Sequence, residues 1–96
     1  MIMVDELKDY LPAPGRMSGR WCHLTTDGNL EDLHEFAQGI GLKREWFQDH
    51  PRVPHYDLRP SKRARALEAG AVFVSAREQA LRRRARRVEE GDGHDA

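Results

Sequence analysis

Between positions 54 and 63 the chain reads Pro-His-Tyr-Asp-Leu-Arg-Pro-Ser-Lys-Arg, which sets an imidazole, a phenol and a carboxylate just before a basic, hydroxyl-bearing helix start. In an extended segment His55 and Asp57 point the same way by period two, so the pair can meet one ligand. Together with His23, and with Asp5 if the fold brings it near, they form a candidate acid and base set or a divalent-metal site. Imidazole and carboxylate are the usual donors for both. His23, His55 and Asp57 are thus the candidate catalytic residues, and Asp5, His23, His55 and Asp57 the candidate metal ligands. No complete signature for a metal, a nucleotide loop or a catalytic triad is present; a divalent metal is the one cofactor this donor set suggests.

The second half of the stretch has its own chemistry. Pro60 suits a first helical position, where its missing donor costs nothing. Ser61, Lys62 and Arg63 then stand in the first turn, where free backbone N–H groups and the helix dipole favour an anion. The competing reading is that Asp57 folds back and caps the same donors. The candidate ligand-binding set is Arg16, His23, His55, Tyr56, Asp57, Ser61, Lys62 and Arg63, with Arg20 as a second arginine able to close over it. Cys22 reads as a packed, unreactive thiol beside Trp21. His34 reads as a boundary residue on a helix, His50 and His94 as exposed, and Trp46, Phe47 and Tyr56 as core anchors more than stacking platforms.

The elements that must position these groups follow from pattern. Residues 1–4 are apolar and β-branched, a short strand ended by Asp5 and Glu6. Residues 8–19, with Pro12, Pro14, Gly15 and Gly19, have loop composition. Residues 20–25 form a second strand, with Trp21, His23 and Thr25 on one face and Cys22 and Leu24 on the other. Asn29 caps a helix from Leu30 to about Gln38, stopped by Gly39 and Gly41. A second helix opens at Pro60 and ends at Gly70, residues 71–74 read as a buried strand, and Ser75 and Glu78 have capping-box spacing for a last helix from Ala76 to about Val88. The predicted fold is a small α/β domain, residues 1–88, with a three-stranded sheet packed by about three helices. The two-helix link between the second and third strands is long enough for a crossover, which allows those strands to run parallel. Ligands in such sheets bind beyond the carboxyl ends of strands, where Asp5, Thr26 and Asp27 would stand.

Composition sets the outer limits. Ninety-six residues make one small core, and oligomerisation would help it by burying more apolar surface. A single cysteine excludes an internal disulfide and fits a reducing compartment, and no apolar run approaches a bilayer span, so the expected location is cytoplasmic with no membrane partner. Net charge is zero, but residues 1–58 carry six basic and ten acidic side chains, residues 59–88 ten and two, and residues 89–96 four acidic and no basic ones. The last segment reads as a disordered acidic tail. Arginines 77, 82, 83, 84, 86 and 87 suit phosphate, yet three adjacent ones spread around a helix, and zero net charge is unlike a typical nucleic-acid binder.

The blocks Cys22-His23-Leu24, Leu33-His34-Glu35-Phe36-Ala37, Ile40-Gly41-Leu42, Arg44-Glu45-Trp46-Phe47-Gln48, Pro54-His55-Tyr56-Asp57-Leu58, Ser61-Lys62-Arg63 and Gly70-Ala71 resemble the bacterial and phage family called domain of unknown function 4031. Asp5 and the Pro14-Gly15-Arg16 loop match it as well. The resemblance spans most of residues 1–76 and implies one compact domain in which His23, His55, Tyr56, Asp57, Ser61, Lys62 and Arg63 share a site; it implies no activity. Arg59 departs from the small capping residue expected before Pro60, and the arginine-rich last helix is expected to fall outside the family pattern.

Three readings follow. The first is a module binding a small anionic, phosphate-containing and nucleotide-like ligand. The second is a metal-dependent hydrolase of the phosphodiesterase or nuclease type. The third is a protein-interaction module, such as a phage factor acting on a host component, with the last helix as its contact face; nucleic acid bound through that helix ranks behind the first two.

Overall fold

The computed structural model describes residues 1–10 and 19–89. Along the chain run β1 (Ile2–Val4), β2 (Lys8–Tyr10), β3 (Gly19–Thr26), α1 (Leu30–Gly39), a single 3₁₀ turn (Arg44–Trp46), β4 (Tyr56–Leu58), α2 (Pro60–Glu68), β5 (Val72–Phe73) and α3 (Ala76–Glu89). The α/β class and the three helices are as the pattern predicts, but the sheet has five strands and not three. The two extra strands are three-residue pieces at the edges of predicted loops, too short for alternation to reveal. Arg16 lies outside the described residues, as do His94 and the expected acidic tail beyond Glu89.

β3 organises the sheet. It pairs antiparallel with β1 through Leu24, Thr25 and Thr26, with β2 through Gly19, Arg20 and Trp21, and with β4 through Cys22, His23 and Leu24. The parallel pair is β1 with β5, Met3 opposite Val72 and Val4 opposite Phe73. This corrects the expectation of a parallel link between residues 20–25 and 71–74. A crossover does exist, but it returns to the first strand, and β3 runs the other way. Thr26 and Asp27 therefore stand at the opposite end of the sheet from Asp5, where Asp27 binds the N-terminal ammonium of Met1 at 2.7 Å. β5 is also not the buried strand expected: Ala71 and Val74 are buried, while Val72 and Phe73 face outward.

Period two gives the sheet two unlike faces. Val4, Cys22, Leu24, Tyr56 and Leu58 face Leu33, Ala37, Ile40 and Leu42 of α1 and its exit, with Ala66 of α2, and together they form the core. Within it the Cys22 thiol is pushed up to about 12 by loss of solvent, so it is inert at neutral pH, as predicted. The other face carries Trp21, His23, Thr25 and Asp57. α3 reaches it through Gln79, buried, whose Oε1 accepts from Thr25 Oγ1 at 2.7 Å while its Nε2 donates to the Val74 carbonyl at 2.8 Å.

Helix ends follow local chemistry. Asn29 caps α1 by accepting from Asp32 N–H at 2.9 Å. Gly41, at φ +90°, takes the left-handed turn past its end; a Cβ there would stand 2.7 Å from Lys62 Nζ. Ser75 Oγ accepts from Glu78 N–H at 3.1 Å, but the Glu78 carboxylate pairs with Arg82 instead of closing the capping box. A different first-turn donor is satisfied from far away: Ala76 N–H donates to Glu6 Oε1 at 2.7 Å. That bond lowers the Glu6 carboxyl below its ordinary value of 4.5, so its charge stabilises the fold above that pH and the contribution fades as pH falls through the lowered value. Glu6→Gln keeps an acceptor and removes only the charge. The stability difference between wild type and Glu6→Gln, followed by urea unfolding, should be largest near neutral pH and vanish in acid; a difference that persists in acid would mean the charge is not the cause.

Candidate metal centre

Strand register builds the site. His23 of β3 stands opposite Asp57 of β4. The His23 N–H turns to the other edge of β3 and donates to Asp5 Oδ1 at 2.7 Å, so His23 and Asp57 form a non-hydrogen-bonded pair, the kind whose side chains lie closer. His55, two residues before Asp57, falls on the same face; its backbone exchanges hydrogen bonds with Gln48, N to O at 2.8 and 3.0 Å. One ligand atom from each of His23, His55 and Asp57 lies within 4.8 Å of the others. The two imidazoles meet edge to face at 4.8 Å between centroids.

The partners of these groups fix which atoms are free. His23 Nδ1 lies 2.8 Å from Asp5 Oδ2, and a carboxylate can only accept, so Nδ1 carries the proton and Nε2 the lone pair. His55 Nδ1 lies 2.7 Å from the Val53 carbonyl, which imposes the same tautomer. His55 Nε2 then faces Asp57 Oδ1 at 3.5 Å, and the second oxygen of Asp57 accepts from Gln48 Nε2 at 3.2 Å. A carboxylate or carbonyl behind each ligating imidazole is the support that metal-binding histidines use to fix ring and tautomer. The Asp57 carboxylate, helped by Val53, raises the pKa of His55 above its ordinary value against the effect of burial. Asp5 is buried, while His55 and Asp57 keep limited solvent access and His23 more, which leaves room for a further ligand.

A cleft of about 330 Å³ opens on this face, lined by Asp5, His23, His55, Thr25, Gln79 and Arg83. Past Asp57 lies a second hollow of about 410 Å³, lined by Trp21, Trp46, Gln48, Arg59, Ser61 and Lys62. The candidate residues thus separate. His23, His55 and Asp57 come together with Asp5 behind them. Ser61 and Lys62 share only the neighbouring hollow with Asp57. The Lys62 ammonium donates to the Ile40 carbonyl at 2.8 Å, closing the end of α1, and Arg63 Nε donates to the Asp5 carbonyl at 3.0 Å. Asp57 does not cap α2, since it is held by Gln48 and faces His55. Arg20 is exposed and pairs loosely with Asp9 at 3.6 Å. Tyr56 points the opposite way, fully buried in the core with its hydroxyl 2.8 Å from His34 Nδ1, so His34 is a buried partner and not a boundary residue.

Residues 2–87 match the family described as protein of unknown function (DUF4031). The chain belongs to this family. The match runs through β5 and nearly all of α3, so the arginine-rich last helix lies inside the DUF4031 pattern, contrary to the expectation from motifs that end at residue 76. No curated protein and no solved structure matches the chain.

Sequence reasoning missed Gln48, the Val53 carbonyl and Arg83. The first two are backbone-register effects with no residue-type signal. Arg83 could have been found, because Ala76, Gln79 and Arg83 recur at helical spacing, and the one uncharged polar side chain among them marks the inward face. His50 is exposed as expected, but its Nδ1 accepts from Arg52 N–H at 3.2 Å and Val53 N–H at 3.3 Å, shaping the turn that presents the Val53 carbonyl. The separation of Tyr56 from the site predicts that Tyr56→Phe lowers stability by roughly 1–2 kcal/mol, since His34 is left buried without its partner. Metal binding by that variant should be unchanged, and a loss of metal affinity in a folded Tyr56→Phe protein would contradict the assignment.

Proposed function

We propose that this domain is a divalent-metal-dependent hydrolase of phosphate esters, with His23 Nε2, His55 Nε2 and Asp57 Oδ1 as the metal ligands. One observation carries the reading: a ligand atom from each of His23, His55 and Asp57 lies within 4.8 Å of the others, and both histidines have Nδ1 engaged by an acceptor, which leaves Nε2 as the nitrogen able to coordinate. Two imidazoles and one carboxylate with open positions suit zinc, manganese or iron(II). A bound ion of this kind supplies a Lewis acid and makes a coordinated water acidic near neutral pH.

The chain's own residues do the rest. Asp5 fixes the ring and tautomer of His23, Val53 does the same for His55, and Gln48 fixes the carboxylate plane of Asp57. Arg83 reaches the same cleft with no hydrogen bond or ion pair among the described residues. Partial burial and the neighbouring Arg86 and Arg87 lower its pKa, so an anion brought beside it relieves an unfavourable charge. That supports an anionic substrate. The anion-binding role first sought at Lys62 and Arg63 fits Arg83 better, because the former two hold carbonyls of the fold itself.

Calorimetric titration of metal-free protein with zinc and with manganese should give one site per chain, abolished by His55→Ala and by Asp57→Asn. Asp5→Asn should weaken it about 10- to 100-fold, as loss of a supporting carboxylate does elsewhere. Bis(p-nitrophenyl) phosphate should be hydrolysed only with metal present. Metal affinity unchanged in His55→Ala overturns the centre, and a tight, mutation-sensitive site with no turnover of phosphate esters overturns the hydrolase.

A further inference from the structure

We infer that the metal centre is fed by a nucleic-acid strand, whose phosphodiester backbone lies in an arginine-lined groove between α3 and the 51–53 segment. This rests on the hydrolase reading for its chemistry and names the substrate class of the same site.

The groove has a volume of about 700 Å³ and is lined by Arg52, Arg83, Arg84, Arg86 and Arg87, with Pro51, Val53 and Ala80 as its apolar floor. Three observations point to a repeating anion. First, the arginines converge: Ala80, Arg83, Arg84 and Arg87 recur at helical spacing, and Arg52 joins them from a separate segment, so the charge is not spread evenly around the helix. Arg82, which points elsewhere, is the one neutralised by Glu78.

Second, among the described residues no acidic side chain lines the groove, and the lining arginine tied to the fold is Arg86, whose Nη1 donates to the Asp27 carbonyl at 3.3 Å and whose charge helps hold the Asp27 carboxyl below its ordinary value. The like charges of Arg52, Arg83, Arg84 and Arg87 around one concavity repel each other, and a phosphodiester has only its pair of unbridged oxygens to offer, so one phosphate cannot satisfy the whole set. The guanidinium fork matches phosphate oxygens two at a time, and α3 uses arginine throughout without a lysine.

Third, the groove and the metal cleft are continuous. Arg83 and Val53 line both, and it is the Val53 carbonyl that sets the tautomer of His55. A strand lying along α3 therefore passes Arg83 and presents a phosphodiester to His23, His55 and Asp57. Hydrolysis there breaks one P–O bond: water adds its oxygen to phosphorus, a base in the cleft takes one of the water's protons and returns it to the departing oxygen, and one strand end leaves as a hydroxyl while the other keeps the phosphate.

The test is fluorescence anisotropy of labelled single-stranded DNA, single-stranded RNA and duplex DNA with the full chain in chelator, so that no metal is needed. If about three phosphates are neutralised, single-strand affinity should fall by roughly 20-fold between 50 and 200 mM salt, a log–log slope near −2. Arg83→Gln/Arg87→Gln should weaken binding at least about tenfold at low salt and flatten the slope by roughly 1.4. Arg65→Gln/Arg77→Gln, outside the groove, should not, and thermal melts of both variants check that they are folded. No binding at 50 mM salt, equal loss in both double variants, or competition by polyglutamate as strong as by oligonucleotide overturns the proposal. Strand binding without metal-dependent hydrolysis overturns the hydrolase alone; hydrolysis of the small diester without strand binding overturns the groove alone.

Discussion

The buried Asp5 carboxylate is the interaction on which the rest of the site depends. It stands in the break between β1 and β2, where the ladder to β3 lacks a backbone acceptor, and its Oδ1 takes the His23 N–H that the strand would otherwise leave unsatisfied. Its Oδ2 holds the His23 ring, and its main-chain carbonyl accepts from Arg63 of α2. A buried carboxylate is tolerable only when such donors surround it. One residue thereby sets a strand register and a histidine tautomer through its side chain and the seat of a helix through its main chain.

This coupling explains why the candidate site lies on the second face of so small a domain. The core needs one face of the sheet and two helices, and it excludes water from Cys22 and Tyr56. The opposite face is free to carry imidazoles and a carboxylate, and α3 covers part of it through a single buried glutamine. Apart from Gln79 and the half-buried Ala76 and Arg83, α3 is exposed, with Leu81 and Val88 facing solvent, so most of its arginines are displayed and not absorbed by packing.

Much of this was legible in residue order. Period two in residues 20–25 put His23 and Thr25 on one face, the spacing of His55 and Asp57 put them on a common side, and Asn29, Ser75 and Gly70 marked helix ends by local chemistry. Partnership was not legible. Whether Asp57 caps a helix or faces a histidine depends on where Gln48 lands, and Lys62 reads as a free cation until the end of α1 is seen beneath it. The three-residue strands β2 and β4 carry too little pattern to announce themselves, and the direction of β3 relative to β5 is a property of the whole sheet.

The proposed metal centre requires two imidazole Nε2 atoms and Asp57 Oδ1 to converge on one cation. Anomalous diffraction at the zinc edge from crystals grown with zinc tests it most directly. The geometry predicts one strong peak per chain, bonded to His23 Nε2, His55 Nε2 and Asp57 Oδ1 at about 2.0–2.2 Å, with Asp5 and Val53 still holding the two Nδ1 atoms. A peak elsewhere on the chain, or an empty site with either histidine ring turned so that Nδ1 faces Asp57, would contradict it.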